Sequence, residues 1–293
     1  MDLNTFIVAV FCLIDDRLKG RRIRQRGPAP KLSDAEVLTI EIVGEFLGID
    51  TDKGIHSFFR QHYGEWFPAL GEVHRTTFCR QAANLWKLKE HLWQEFLAFS
   101  PHDPAFAICD SMPLPACLFA RAYRCKRFRG EAAFGKDMLL RQTFYGFRLH
   151  VLVCWPGLIS RFSVAPANAH ELSVVPELVE STCGALLVGD RNYHSPKTKE
   201  ELVRSMGVEL LAPYRNKKRD PAPERSAFLS RLRYRIDTIF SQLTRRYSIK
   251  RVWAKDLWHL SGRLLRKVLS HTVAFLLNYQ AGNRPLQLAQ LLH

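Results

Sequence analysis

Two aspartates each end a short apolar run after the first hundred residues of the chain. Asp110 closes AFAICD, and Asp190 closes ALLVGD and is followed at once by Arg191, Asn192 and His194. Taken alone, Asp190 is equally typical of a turn residue, because Asp and Asn bond their own backbone and end strands. If the two runs are neighbouring parallel strands, the carboxylates lie close together and repel each other unless a cation sits between them.

The cation that suits such a pair is Mg²⁺, because it prefers hard oxygen ligands, and a third carboxylate would complete a two-metal site for phosphoryl transfer. Asp237 is the best third acid, since it lies in FLSRLRYRIDTIFSQLTRRY, whose apolar residues recur at helical period. It shares a helix face with Arg233 and Ser241, so a surface ion pair with Arg233 is the alternative interpretation. Glu224 and Asp256 compete for the third position but lie in a linker and at the start of the last helix.

The elements that must position these acids follow residue 100. Three apolar or β-branched runs, AFAICD, TFYGFRLHVLVCW and LISRFSVAPA, predict strands, and the Pro-Gly pair at 156 and 157 predicts a hairpin between the last two. A helix, the strand ALLVGD, a second helix and the strand VELLAPY come next, before two long helical stretches. The order predicts an α/β fold with a mixed sheet, and the basic stretch 214–226 reads as an irregular linker.

The first hundred residues are predicted to be helical. Ser33 and Glu36 have the spacing of a capping box at the start of one helix, and HRTTFCRQAANLWKLKEHLWQEFLAF predicts one longer helix. Between them, GIHSFFRQHYGEWFPAL predicts a shorter helix broken by Gly64 and Pro68. The change of pattern near Pro101 divides the chain into regions 1–100 and 101–293.

Charge points to the partner. The sequence has 43 Lys and Arg against 28 Asp and Glu, a net charge of +15, which attracts polyanions, with nucleic acid first and an anionic membrane surface second. The early apolar run FIVAVFCLI is too short to span a bilayer and lacks the flanks of a signal peptide. The seven cysteines form no CxxC pair and predict buried thiols in a reducing cytoplasm.

A basic run precedes the capped helix and is expected to meet DNA phosphates, either as a surface or as a loop that orders on DNA. Its members are Arg17, Lys19, Arg21, Arg22, Arg24, Arg26 and Lys31.

The chain resembles the DDE-type transposases of bacterial insertion sequences. The resemblance is carried by Asp110 in ICDSMPL, Asp190 in VGDRNYHS and the helix RYRIDTIFSQL, in that order. FYGFRLHVLV, ANAHELSVVPEL and the basic terminal helices make it most similar to the family numbered nine-eight-two. It implies a ribonuclease-H-like catalytic domain at 101–293, with a mixed sheet flanked by helices, preceded by an all-helical DNA-binding domain at 1–100.

The resemblance also implies a mechanism. Asp110, Asp190 and Asp237 would bind two Mg²⁺ ions, which Mn²⁺ can replace, one activating water against the DNA at an element end and one stabilising the leaving 3′ oxygen. The freed 3′-hydroxyl would then attack target DNA. The family carries Glu where this chain has Asp237, and a shift of about an ångström can cost on the order of a hundredfold in rate.

The resemblance further places Arg148, His150, Arg191 and His194 near the acids as phosphate contacts, although His150 is equally typical of a buried sheet residue. Arg233 would position Asp237 or a phosphate. The expected partners are double-stranded DNA, as terminal inverted repeats and as target, and a second copy of the chain on DNA, at the bacterial nucleoid in the cytoplasm. A transposase-derived DNA-binding protein impaired through Asp237 and a metal-dependent DNA nuclease are the alternatives.

Overall fold

The computed structural model describes residues 1–21, 23, 28–180, 185–251 and 253–292. The chain divides into two compact units: a helical unit, Met1–Ser100 with Gln242–His293, and a sheet unit, Pro101–Ser241. The division at residue 100 coincides with the predicted one, whereas residues 242–293 join the first hundred residues and not the sheet. Within the described part of the chain, no helix is both long and apolar enough to cross a membrane.

The N-terminal part of the helical unit contains six helices among its described residues. The predicted capping box is present at the start of the second: Glu36 N–H donates to Ser33 Oγ at 3.2 Å, and Ser33 N–H donates to Glu36 Oε2 at 2.7 Å. The predicted break after the third helix lies at Tyr63 and Gly64. The helices are α1 (Leu3–Leu18), α2 (Asp34–Phe46), α3 (Asp52–His62), α4 (Ala69–Glu72), α5 (Arg75–Asn84) and α6 (Trp86–Phe99).

The long helix predicted across residues 74–99 is instead two helices, α5 and α6, which meet at Leu85. The break has a physical reason in a buried lysine. Lys89 Nζ donates to the backbone carbonyl of Ala82 at 2.8 Å, and that carbonyl is available because the α-helical pattern ends there.

The sheet unit is built on six strands, and all the predicted strands are present. The order across the sheet is β2, β3, β1, β5, β6, and β4 lies beside the same edge of β3 as β2, further along it. Strand β1 is antiparallel to β3 and parallel to β5, and β5 is parallel to β6, so the sheet is mixed. The strands are β1 (Asp103–Pro115), β2 (Ala133–Asp137), β3 (Gln142–Trp155), β4 (Leu158–Pro166), β5 (Leu186–Val188) and β6 (Glu209–Leu211).

Helices cover the sheet. One face packs Cys109 and Leu152 against side chains of the first two helices of this unit, including Val175 and Leu202. The single helix predicted across residues 228–247 is two helices, which meet at Arg233. The helices are α7 (Glu171–Val179), α8 (Pro196–Met206), α9 (Pro223–Leu232) and α10 (Tyr234–Arg245).

The last long helix, α11 (Leu257–Gln280), belongs to the helical unit and packs against α2 and α6. Two of its basic side chains are buried among acids of α2: Arg266 contacts Glu41 at 2.9 Å, and both Arg266 and Lys267 contact Glu45 at 2.5 Å. Lys89 pairs with Glu41 from the other side. These buried pairs are why the C-terminal residues join the N-terminal helices.

Candidate active site

The two aspartates follow the paired residues of two neighbouring strands. Strands β1 and β5 pair in parallel, with Ile108 opposite Val188, and Asp110 and Asp190 each follow two residues later. Asp110 lies on the same face of β1 as Ile108, because side chains alternate along a strand, whereas Asp190 lies two residues beyond the end of β5. The two carboxylates are near enough for the charge of Asp190 to raise the pKa of Asp110. The structure therefore brings together the pair that the sequence singled out.

Asp110 does not end its strand, contrary to the sequence prediction. Strand β1 continues to Pro115 through antiparallel pairing with β3, in which Asp110 lies opposite Val151. What ends near Asp110 is the parallel pairing with β5, whose last residue is Val188. Asp110 therefore lies on a continuous strand, two residues beyond the last residue of β1 that pairs with β5.

Asp190 is a turn residue, one of the two roles weighed for it. Its carboxylate accepts from the backbone N–H of Asn192 at 2.7 Å and from Asn192 Nδ2 at 3.2 Å, which caps the short 3-10 helix Arg191–Tyr193. A side chain on Gly189 would collide with the ring of Tyr193, about 2.6 Å from the added carbon, so glycine permits this tight turn. The turn holds Asp190 in place beside Asp110.

Asp110 is buried, and burial disfavours the ionised form of its carboxyl group. Burial raises the pKa of Asp110 to about 6, and the charge of Asp190 adds to the rise, while Arg233 and the Ser111 N–H act against it. Arg233 Nη2 donates to Asp110 Oδ2 at 2.5 Å, and Ser111 N–H donates to Oδ1 at 2.7 Å. Asp110 is thus held next to a fixed positive charge.

Arg233 brings the third aspartate into the same cluster. Burial would lower the pKa of Arg233, but the charges of Asp110, Asp190 and Asp237 outweigh it and raise that pKa. Asp237 lies one turn further along α10 and is exposed. The alternative interpretation predicted a surface ion pair between Arg233 and Asp237. Arg233 instead forms its ion pair with Asp110. Of the competing acids, Glu224 is exposed in the first turn of α9, and Asp256 caps α11 in the helical unit.

The three aspartates are chemically suited to a divalent cation, although their side chains are not grouped closely enough to hold one. Within the described ranges, no three His, Cys, Asp or Glu side chains are grouped so that they could hold a metal ion. Three carboxylates nevertheless offer only oxygen ligands, the type that Mg²⁺ and Mn²⁺ accept. In this structure the guanidinium of Arg233 supplies the positive charge beside Asp110.

Three of the other predicted phosphate contacts in the sheet unit have protein partners, whereas both ring nitrogens of His150 are buried without a hydrogen bond. His150 is completely buried on β3, which departs from the expectation of a phosphate contact and agrees with the alternative of a sheet residue. Arg148 Nη1 contacts Ser111 Oγ and Glu171 Oε1 at 3.0 and 3.3 Å and is largely buried. Arg191 donates to the carbonyl of Tyr214, and the ring of His194 packs against Tyr214 at 4.8 Å.

Of the N-terminal basic run, Arg22, Arg24 and Arg26 lie outside the described residues. The described members are each in contact with a neighbouring side chain, which leaves their charges only partly available to DNA. Arg17 lies 4.4 Å from the Phe99 ring, and the ion pairs are Lys19 with Asp16 at 2.7 Å, Arg21 with Glu95 at 2.6 Å and Lys31 with Glu72 at 2.8 Å.

The chain segment that connects β1 to β3 carries a cationic surface that the sequence analysis missed. We call residues 119–141 the basic insert; it contains β2 and an exposed aromatic cluster in which Tyr123 and Phe119 lie 5.2 and 6.3 Å from Phe134. Its signal was visible in RAYRCKRFRG, with five basic residues in ten. Seven exposed cations of the insert form no ion pair with any described carboxylate: Arg121, Arg124, Lys126, Arg127, Arg129, Lys136 and Arg141.

Comparison with known proteins gives one family. The model of the family described as "Transposase DDE domain" matches residues 102–254, just over half of the chain. A transposase for insertion sequence element IS1106 from Neisseria meningitidis serogroup B is 26% identical over 144 residues, which are 47% of this chain and 48% of that protein. The chain therefore spans about half the length of this curated relative. No solved structure matches the present chain.

Proposed function

The chain belongs to the DDE transposase family, with the ribonuclease-H-like mixed sheet predicted for it, and we propose that it is the transposase of a bacterial insertion sequence. It would cut DNA at the ends of the element and join those ends to target DNA. The observation that carries the proposal is the parallel pairing of β1 with β5, which brings Asp110 beside Asp190, with Asp237 one helical turn from Arg233, the ion-pair partner of Asp110. Membership of the nine-eight-two family and a location at the nucleoid remain predictions.

Asp110, Asp190 and Asp237 would hold two Mg²⁺ ions, or Mn²⁺ in their place, which supply Lewis-acid activation of the attacking and leaving oxygens. The protein's own contribution is preorganisation. The Asn192 contacts fix Asp190, and the Ser111 N–H and Arg233 fix Asp110, so two carboxylates are oriented in advance. Asp237 stands on a helix and is one methylene shorter than the family's Glu, so its reach toward the other two depends on α10.

The substrate proposed is double-stranded DNA, as terminal inverted repeats and as target. The basic insert is a part of the sheet unit suited to phosphates, because its exposed cations form no ion pair with described acids. The N-terminal basic run, Arg191 and His194 remain candidates for further contacts. Pairing of two element ends by two copies of the chain is part of the proposal.

The test is a strand-cleavage and strand-transfer assay on duplexes carrying the DNA that flanks the gene, with Mg²⁺ and then Mn²⁺. The unmodified chain is compared with Asp110→Asn and Asp237→Glu, and with Glu201→Gln as a control on an exposed acid of α8. We expect cleavage and joining by the unmodified chain and by the control, and a loss of at least about a hundredfold in Asp110→Asn.

The remaining outcomes separate the alternatives. Cutting without joining to a second duplex would identify a nuclease. Binding without cutting, with cutting restored by Asp237→Glu, would identify a transposase impaired at that position. Binding without cutting in every variant would overturn the catalytic proposal and leave a DNA-binding protein.

A further inference from the structure

The helical unit contains a cavity of about 510 Å³, a volume typical of small-molecule sites. Three tryptophans line it: Trp86 at the start of α6, Trp253 in the segment before α11, and Trp258 in the first turn of α11. The cavity has no part in the aspartate cluster, which lies in the sheet unit. Three of the six tryptophans of the chain are therefore gathered around one opening.

Two of these indoles are left in water. Trp253 is 57% exposed and Trp258 is 48% exposed. A large aromatic side chain that only packs a core is buried, so an exposed pair at a concave surface indicates a surface that is covered by something else.

The inner wall of the cavity is charged but neutralised. Arg266 contacts Glu41 at 2.9 Å and Asp52 at 2.8 Å, and Lys89 contacts Glu41 at 2.5 Å. All three pairs include atoms that are almost completely buried. This network fixes the wall and has no net charge to offer a ligand.

The outer wall is different, because two of its exposed cations have no acid partner among the described residues. Arg80 and Lys255 line the cavity and are exposed, and neither makes an ion pair with a described residue. Arg263, in contrast, is paired with Asp52. The exposed Asp256 contacts His259, which carries a charge only when it is protonated, so Asp256 sets one negative charge against the two cations. The free charge at the opening is therefore positive and lies on the same cavity as the exposed indoles.

Indole faces and unpaired cations together match one class of ligand. A nucleobase stacks on aromatic faces irrespective of its identity, and the phosphate beside it binds Arg or Lys. We propose that this cavity binds an unpaired nucleotide of a DNA strand, with the base against Trp253 and Trp258 and the phosphate at Arg80 and Lys255. The assignment of DNA as the polymer rests on the proposed function, since cutting a DNA end is what exposes unpaired nucleotides.

The experiment measures binding of the full chain to a short single-stranded oligonucleotide, by fluorescence anisotropy. Trp253→Ala with Trp258→Ala should weaken binding by about tenfold or more, because each stacked base contributes that order of affinity. Trp253→Phe with Trp258→Phe should recover most of the affinity, since phenylalanine also offers an aromatic face. Trp66→Ala, at a 44% exposed tryptophan outside the cavity, is the control and should change nothing.

Two further ligands identify what is recognised. An oligonucleotide of the same length with abasic sites has the same phosphates, so it should bind the unmodified chain about as weakly as the normal strand binds the Trp→Ala variant. A free deoxynucleoside monophosphate should compete only at much higher concentration if a strand is the natural ligand. Competition as effective as that of the oligonucleotide would assign the cavity to free nucleotides and overturn the proposal.

Equal binding of normal and abasic strands, or equal affinity of the Trp→Ala variant and the unmodified chain, would also overturn it. Because both substituted tryptophans are about half exposed, the variant is expected to keep its fold, and an unchanged melting temperature verifies this. Binding is measured without cleavage. A chain that binds strands through these tryptophans but never cuts duplex DNA would refute the proposed function and leave the cavity assignment standing.

Discussion

The ion pair between Arg233 and Asp110 is a single contact with two consequences. It offsets the burial that raises the pKa of Asp110, and it places a positive charge among three carboxylates proposed to bind cations. A guanidinium and a divalent cation repel each other and use the same carboxylate oxygens. Arg233 should therefore stabilise the aspartates before a cation binds and compete with the cation when it does.

We therefore predict that Arg233→Gln binds Mn²⁺ more tightly than the unmodified chain, by about tenfold, because a nearby positive charge has been removed. Calorimetric titration with Mn²⁺ measures this without any DNA. The same variant without a cation should melt at a lower temperature, since three carboxylates lose their shared counter-charge.

The control for this prediction is Arg235→Gln. Arg235 lies two residues away, and its guanidinium is 4.8 Å from the Trp155 ring, so removing it changes the charge of the chain equally. If both variants shift Mn²⁺ affinity by the same amount, the effect belongs to net charge and the specific role of Arg233 is refuted. Weaker Mn²⁺ binding in Arg233→Gln alone would make Arg233 a support of the cation site and not its competitor.

A second prediction at this scale concerns His271, which is fully buried on α11. Burial lowers its pKa to about 4; its Nε2 lies 2.9 Å from Gln242 Oε1, and its ring centroid is 5.8 Å from that of Tyr247. In the unfolded chain the pKa returns to about 6.5, so between these values the unfolded state binds the extra proton. The free energy of unfolding should thus be highest above pH 6.5, where His271 is neutral in both states. It should fall by up to about 3 kcal/mol as the pH drops toward 4.

Hydrogen exchange of the α11 amides at pH 7 and pH 5, corrected for intrinsic rates, measures this effect locally. In His271→Gln the difference in protection between the two pH values should be smaller, because glutamine does not titrate. His150 lies in the sheet unit, and its pKa is lowered to about 4 by burial and by the charge of Arg148. The pH dependence of the sheet unit should therefore be the same in both chains and serves as an internal reference. An identical pH response of α11 in both chains would contradict the prediction.

Among the elements, the basic insert is the one whose role can be tested most directly. Its cations are exposed and unpaired, so each phosphate they bind releases a counterion. Arg121→Gln with Arg124→Gln and Arg127→Gln should weaken binding to any duplex. The slope of log affinity against log salt should also fall by up to about three, one for each phosphate that no longer meets an arginine.

The comparison is a triple variant at exposed positions of two helices in the same unit: Lys197→Gln with Arg204→Gln on α8 and Arg225→Gln on α9. It removes the same charge from a surface that is not proposed to touch DNA. Equal losses in the two triple variants would mean that only the total charge matters, and the insert would lose its assignment.

The elements also show what sequence patterns can and cannot predict. Periodicity and capping predicted the helix at Ser33, the hairpin at residues 156 and 157 and every strand that has a continuous apolar run. Strand β2 was missed because AFGKD is short and half polar, and its only strand neighbour is the start of β3. The breaks at Leu85 and Arg233 were missed because the apolar residues keep their helical spacing across both positions.

The same limit applies to the site. Asp110 and Asp190 could be singled out from sequence because each follows an apolar run, and the pairing of β1 with β5 brings them together although Asp110 does not end its strand. The partner of Arg233 could not be predicted from sequence. Helix spacing suggests Asp237, four residues away, and gives no information on Asp110, which lies 123 residues earlier. The cavity was beyond reach for a related reason, as Trp86 and Trp253 are brought together only by the packing of α6 and α11.

For the molecule as a whole, the consequence of its two-unit division is that the helical unit is assembled from both ends of the chain. The carboxylates of Glu41 and Glu45 on α2 are almost completely buried, and their partners include Arg266 and Lys267 of α11. Removing one partner from a buried pair costs about 3–5 kcal/mol, and a whole domain is stable by only about 5–15 kcal/mol. Two such losses together would use most of that stability.

We therefore predict that residues 1–100 alone do not fold cooperatively, although the sequence divides there. Circular dichroism with thermal melting should show a broad, low-amplitude transition for this fragment. Adding the separately prepared segment 242–293 should produce a sharp transition, because α11 returns the cations to Glu41 and Glu45. The same segment carrying Arg266→Met and Lys267→Met should fail to do so, since it restores apolar contacts but leaves both acids without their α11 partners. A sharp transition in residues 1–100 alone would show instead that the first hundred residues are an independent domain, to which α11 is only an addition.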